Sequence, residues 1–223
     1  MEKLVTLANK LLVFDLDGTL VDSESQIGKA LNIARAEFDF EELPSGRISE
    51  LVGLPISHFL SDLTLTSDLE KELVSRFREI LKQSILEENR IYPGALKFLN
   101  FALEKDFKLA IATSKPTYLA ELVIQHSILS GMFEVIQGTE GFPAKPDPTC
   151  ILRAMGRSSA HSAVMFGDRI EDINAANAAG IKSVGVAHSF HTVADLKSAG
   201  ATLAFRNFEE LANSEDLTHL LVG

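Results

Sequence analysis

Two hydrophobic periodicities divide this chain. Leu11-Leu12-Val13-Phe14 is an unbroken apolar run, the pattern of a strand buried on both faces of a parallel sheet. From Asp22 to about Phe38 the spacing turns helical, with Ile27, Ala30, Leu31 and Ala34 on one face and Asp22 or Ser23 as the cap. A turn at Leu43-Pro44-Ser45-Gly46, a helical piece from Ile48 to Val52, a break at Gly53-Leu54-Pro55 and a second piece from Ile56 to Leu63 follow. Ser67 and Glu70 form a capping-box pattern opening a longer helix towards Glu88. No strand pattern occurs between Val21 and Arg90.

Beyond Tyr92-Pro93-Gly94, strand and helix alternate. Strands are expected over 108–113, 133–137, 162–166, 181–187 and, at an edge, 201–205. Helices are expected over 95–105, 116–128, 148–155, 170–179 and 193–199. Alternation of this kind indicates a parallel sheet covered on both faces. The expected fold is therefore α/β: a Rossmann-like parallel-sheet core, residues 1–20 and 92–223, with an inserted all-helical cap over residues 21–91. An inserted unit above the strand ends is placed to act as a lid.

Composition narrows the class. With 223 residues, 46% hydrophobic, the chain can bury one sizeable core plus a small insert. A formal net charge of -10 disfavours nucleic acid and anionic membrane as general partners, though not a small anionic ligand held in one cleft. No apolar run approaches the roughly 20 residues of a membrane helix. Met1 to Lys10 carries Glu2, Lys3 and Lys10 and lacks the core of a signal peptide, so a cytoplasmic location is expected. The lone cysteine, Cys150, sits in a helical apolar pattern and reads as a packed thiol. Either a monomer or a homodimer fits.

The chemistry concentrates at strand ends. Asp15 and Asp17 follow the first strand with one residue between them, then Gly18 and Thr19. Two carboxylates so close repel unless a cation lies between them or one holds a proton. That points to a hard-metal site, a nucleophile beside an acid/base, or both; the alternative is an Asx turn. A calcium loop is set aside because its glycine belongs at position six. Three further segments lie at strand ends or nearby loops: Thr113-Ser114-Lys115, Lys145-Pro146-Asp147-Pro148 and Gly167-Asp168-Arg169-Ile170-Glu171-Asp172. Parallel strands put their C-terminal ends on one side, so these groups can converge. Carboxylates, hydroxyls and an ammonium suit a phosphoryl group held against magnesium. Each also has a structural alternative: Thr113 capping the helix near Pro116, Lys145 solvated in its loop, Asp168 capping its helix, Asp172 facing solvent. Asp168 and Asp172, at i and i+4, would share a helical face.

In this order the segments resemble the haloacid-dehalogenase-like hydrolases, specifically the phosphoglycolate-phosphatase-like subgroup with a helical cap. DLDGTLVDS and GDRIEDI followed by NAANAAG are the specific motifs, ATSKP and AKPDP weaker ones, and YPG matches the return from cap to core. The resemblance implies a magnesium-dependent phosphatase acting on a small phosphomonoester through an aspartyl-phosphate. It casts Asp15 as nucleophile and Asp17 as acid/base whose backbone carbonyl binds the metal. Thr113 would hydrogen-bond the phosphoryl group, Lys145 would steady the charge, and Asp168 and Asp172 would serve the metal. A phosphomutase of the beta-phosphoglucomutase type, a pyrophosphatase and a catalytically silent binding module are the alternatives. Asp17 argues against dehalogenase and phosphonate-cleaving members. Ser114 stands where this subgroup often has asparagine.

Candidate substrate contacts are Gly18, Thr113, Ser114 and Lys145 in the core, and Leu54 and His58 in the insert; the alternative is that the 53–56 loop merely joins two helices and His58 is solvated. That loop carries no lysine or arginine, which speaks against a strongly anionic leaving group read there. Arg169 is expected in a surface salt bridge.

Overall fold

A six-stranded, wholly parallel sheet forms the centre of the structure, a computed structural model that describes residues 10–222. Expectations for the first nine residues, including the lack of a leader, lie outside the described residues. The strands are β1 (Lys10–Phe14), β2 (Lys108–Ala112), β3 (Val135–Gln137), β4 (Ser162–Gly167), β5 (Lys182–Val186) and β6 (Leu203–Phe205), in the order β3-β2-β1-β4-β5-β6. The central strand explains its own sequence. Leu12 and Phe14 pack with Val164 and Phe166 on one face, and Leu11 and Val13 with Ala110, Ala112 and Met165 on the other. Both faces are dry, so the strand is apolar at every position. Phe14 stacks on Phe166 with ring centroids 4.7 Å apart.

Between β1 and β2 lie α1 (Glu24–Glu37), α2 (Ser45–Leu51), α3 (Ile56–Phe59) and α4 (Ser67–Glu87), then α5 (Ala95–Glu104). The helices α6 (Thr117–Gln125), α7 (Thr149–Ser158), α8 (Ile170–Ala178) and α9 (Val193–Ser198) alternate with the remaining strands, and α10 (Phe208–Ala212) and α11 (Glu215–Val222) close the chain. Among the described residues, no strand longer than an isolated bridge lies between 21 and 90. The two crossings to and from the helical insert are paired: Asp22 N–H donates to the Arg90 carbonyl at 2.9 Å and Tyr92 N–H to the Leu20 carbonyl at 3.0 Å.

Several boundaries differ from the sequence pattern. The helix expected from Ile48 starts at Ser45, and α3 is a single turn instead of a helix to Leu63. Thr66, not Ser67, caps α4, its Oγ1 accepting from Leu69 N–H at 3.4 Å. Ser23 holds the cap position of α1, but its buried hydroxyl makes no cap bond. The terminal α10 and α11 were outside the alternating pattern.

Inside the insert, α1 packs against α4. Buried Arg35 ties its far end, with its guanidinium 3.1 and 2.7 Å from the two Asp62 carboxylate oxygens and its Nε donating to the Glu41 carbonyl at 2.6 Å. One apolar cluster runs from Phe14, Leu16 and Leu20 at the sheet to Ile27, Leu31, Phe77 and Leu81 in the insert. The insert is thus packed onto the strand ends. Cys150 is buried in α7, and burial pushes its thiol up to about 11, as a packed thiol requires.

Candidate active site

The C-terminal ends of β1, β2 and β4 bring the acidic segments together. Asp15 directly follows β1, and its N–H donates to the Phe166 carbonyl of β4 at 2.9 Å. One carboxylate oxygen from each of Asp15, Asp168 and Asp172 lies within 4.8 Å of the others, all three residues being buried. Lys145 enters from the loop before α7, fully enclosed. Its Nζ lies 2.7 Å from Asp15 Oδ1 and 2.5 Å from Asp172 Oδ1, and donates to the Ala112 carbonyl at 3.1 Å. Lys145 is therefore not a solvated loop lysine. The contact with Asp15 is an ion pair without hydrogen-bond geometry, so both Asp15 oxygens lack a hydrogen-bond partner.

Electrostatics follow from that enclosure. Burial pushes the Asp15 carboxyl up to about 7, with Lys145 opposing and Asp172 adding to the shift. Burial, then the charge of Asp15, pushes Asp168 up to about 6, opposed by Ser189, Thr19 and Arg169. Asp172 is raised by burial against the pull of Lys145. Burial acts to lower the Lys145 ammonium, but Asp15 and Asp172 outweigh it and hold it above the usual lysine range. Three carboxylates against one enclosed ammonium leave excess negative charge. The all-oxygen donor set and the partnerless Asp15 oxygens fit a hard divalent cation.

Asp168 and Asp172 converge in a manner the i, i+4 spacing does not describe. Helix α8 begins at Ile170, so Asp168 precedes it and no common helical face exists. Nor does Asp168 cap the helix. Its Oδ1 accepts from Thr19 Oγ1 at 2.6 Å and its Oδ2 from Ser189 Oγ. Asp172 instead accepts the Arg169 N–H at 3.0 Å, and is buried where solvent exposure was the alternative. Gly167 is needed here because a Cβ on it would stand 2.3 Å from the Asp172 Cβ.

Asp17 stands apart from the triad. Its carboxylate pairs with Lys115 Nζ at 2.9 Å, both groups buried, so its side chain is not a metal ligand in this arrangement. Its carbonyl oxygen accepts no hydrogen bond among the described residues. Gly18 was expected to contact substrate, but its N–H is committed to the Val21 carbonyl at 2.9 Å. It serves the turn: φ is +85°, and a Cβ would lie 2.6 Å from Asp168 Oδ2. Thr113 is buried beyond β2 and does not cap α6, whose cap is Pro116. Its Oγ1 accepts the Lys115 N–H at 3.2 Å, which leaves the hydroxyl proton free to donate.

A cavity of about 380 Å³ opens between these strand ends and the insert. Asp17, Ser114 and Lys115 line it from below, and Leu54 from the insert. His58 does not line it; it is exposed on α3, turned outward because Phe59 takes the inward position. Asp15, Asp168 and Asp172 line neither this cavity nor a broader surface groove of about 1200 Å³ along α1 and α2.

Four contacts were not anticipated. Lys115 on Asp17, and Thr19 and Ser189 on Asp168, are hydrogen-bonding residues whose partners are set by chain crossings; Thr19 and Lys115 at least stood inside the motifs that drew attention. Arg169 is buried where a surface salt bridge was expected. It does pair with Glu171 at 3.1 Å, but its guanidinium also donates to the Val52 carbonyl of the insert at 2.9 Å. The loop after β5 reaches the same region: His188 Nε2 lies 3.0 Å from the Thr19 carbonyl, and its ring stacks on Tyr92 at 3.7 Å.

Comparison with known proteins agrees with this architecture. The family described as haloacid dehalogenase-like hydrolase matches over residues 12–186. The phosphoglycolate phosphatase of Mannheimia succiniciproducens is 28% identical over 91% of this chain and 96% of its own length. The 5'-nucleotidase of Pseudomonas aeruginosa is 27% identical over 84% of this chain and 86% of its own. The crystal structure of a predicted phosphatase from Clostridium acetobutylicum superposes with a TM-score of 0.81 and 29% identity, covering 91% of this chain and 96% of the other.

Proposed function

The chain belongs to the haloacid dehalogenase-like hydrolases, and on that premise we propose that it is a magnesium-dependent phosphatase that cleaves a small phosphomonoester through an aspartyl-phosphate on Asp15. The observation that carries the reading is the enclosed set of Asp15, Lys145, Asp168 and Asp172 at the sheet's C-terminal edge, with Asp17 held apart beside the cavity.

An Asp15 carboxylate oxygen attacks phosphorus while the bond to the leaving oxygen breaks. Asp17 gives its proton to that oxygen. Water then attacks phosphorus, Asp17 takes a proton from it, and inorganic phosphate leaves with Asp15 restored. Lys145 favours the ionised form of Asp15 against the effect of burial. Thr113 donates its free hydroxyl proton to a phosphoryl oxygen, and Ser114 lies where it can do the same. Asp15, Asp168, Asp172 and the Asp17 carbonyl would hold magnesium, which when bound neutralises phosphoryl and carboxylate charge.

Lys115 introduces a tension. Its ammonium occupies the Asp17 carboxylate at 2.9 Å, the group that has to give a proton in the first step. The incoming phosphoryl dianion competes for Lys115 and frees the Asp17 carboxyl from it. The separation of the Asp17 carboxylate from the triad leaves it free to give and take a proton between steps.

We assign residues 1–20 and 92–223 to the catalytic core and 21–91 to a cap, with Arg169 bridging them through the Val52 carbonyl. Closure of the cap excludes bulk water during attack by Asp15.

Two experiments test this function. Asp17→Asn should slow kcat by about 100- to 10,000-fold. With p-nitrophenyl phosphate, whose leaving group needs little protonation, it should give a burst of p-nitrophenol and accumulate phosphoenzyme. Steady hydrolysis at the wild-type rate would remove Asp17 as acid/base.

The second concerns pH. Asp15 and Asp168 hold protons more tightly folded, at about 7 and about 6, than at the ordinary 3.8 of an unfolded aspartate. Their contribution to metal-free stability is complete below about pH 4 and lost as pH rises to about 7. Metal binding needs the ionised carboxylates. The rise in Tm on adding Mg²⁺ should therefore be larger at about pH 7.5 than at about pH 5. An equal rise at both would count against a carboxylate-bound ion.

A further inference from the structure

The cavity above the strand ends holds a second cation that the mechanism does not use. Arg78 lines it from α4, twenty-odd residues beyond the loop that supplies Leu54. The absence of lysine and arginine from that loop therefore does not make the cavity free of positive charge on its cap side. Apart from Lys115, Arg78 is the only cationic side chain in the lining. The two differ in their partners. Lys115 is neutralised by Asp17 at 2.9 Å. Arg78 makes no ion pair and no side-chain hydrogen bond among the described residues. Its neighbour Glu79 is engaged by Arg76 at 3.2 Å, as is Glu37 at 2.6 Å.

Apart from Ser57, the side chains on the rest of the cap-side wall are apolar, among them Ile27, Leu54, Phe59, Phe77 and Leu81. An unpaired guanidinium on an apolar wall loses hydration when the cavity fills, unless the occupant replaces it with an anionic acceptor. A carboxylate matches the planar fork of a guanidinium. The volume of about 380 Å³ leaves room for an apolar body between that carboxylate and the phosphoryl group.

Building on the phosphatase reading, we propose that Arg78 selects the leaving group, and that the preferred substrates are phosphomonoesters whose alcohol has an apolar body ending in a carboxylate. Lys115, Ser114 and Asp17 face the phosphoryl end, and Arg78 faces the far end.

The test compares kcat/KM for 4-carboxyphenyl phosphate and phenyl phosphate, in wild type and in Arg78 variants. Wild type should favour the carboxylated ester by about 10-fold or more. Arg78→Gln should collapse that ratio towards the intrinsic leaving-group difference. Arg78→Glu should invert the charge preference, favouring 4-(aminomethyl)phenyl phosphate over the carboxylated ester. Arg78 is half-buried on α4, and thermal melts of each variant confirm folding. Both esters hydrolysed with a ratio that Arg78→Gln leaves unchanged overturns the role of Arg78 while the phosphatase reading stands. Neither ester hydrolysed by wild type in the presence of Mg²⁺ overturns both.

Discussion

Asp15→Asn is expected to lower kcat for phosphate release by on the order of 10,000-fold or more, the scale seen when a nucleophile is removed. An amide nitrogen and oxygen carry no charge to attack phosphorus, and no neighbour can take over. Asp17 is paired with Lys115, and Asp172 is bound by Lys145 and the Arg169 N–H. The variant separates catalysis from folding. Asp15 is a buried carboxylate whose charged form is disfavoured first by burial. Replacing it with a neutral isostere should leave the Tm in EDTA equal to or above that of wild type. Mg²⁺ should then stabilise the variant less than wild type, since one triad oxygen has lost its charge. Kinetics and melting on the same preparation check all three outcomes, and activity within tenfold of wild type sinks the aspartyl-phosphate.

Lys145→Met should be the most destabilising single change at the site. It leaves Asp15 and Asp172 enclosed without their cation, a loss of about 3–5 kcal/mol for breaking a buried pair. Urea denaturation in EDTA measures it. The deficit should shrink as Mg²⁺ is added, because an ion bound only to the folded state restores stability by mass action. Activity at saturating Mg²⁺ should still fall by on the order of 100- to 1,000-fold, since charge stabilisation beside the attacking oxygen is lost. A variant as stable as wild type in EDTA would mean that the carboxylates around residue 145 are already protonated and need no ammonium.

The two predictions rest on residues of different legibility. Asp15 stood out because its strand is apolar on both faces and stops abruptly in charge, a pattern that survives without any knowledge of neighbours. Lys145 was visible only as a lysine in a proline-rich loop. Its place between Asp15 and Asp172 depends on how the segment before α7 returns across the sheet. The same distinction separates Leu54 from His58. Both lie in one short stretch, but the single turn of α3 points Phe59 inward and leaves His58 outside. Arg78 was hidden more deeply still. On α4 it is one charged position among many, and only the packing of that helix over the strand ends gives it a cavity to line.

The features readable along the chain are local and periodic. Runs buried on two faces must be apolar throughout, helices must repeat near every fourth residue, and the DLDGT and GDRIED segments carry their carboxylates wherever their strands end. Those facts were enough for a parallel α/β fold with a helical insertion and for the acidic members of the site. The pairings arise only in the folded chain: Lys115 on Asp17, Thr19 and Ser189 on Asp168, Arg169 on Val52 and Arg78 on the cavity wall. Each joins groups brought together by chain crossings, and a side chain's partner at 3 Å depends on strand order, helix rotation and burial, none of which leaves a periodic mark in the chain.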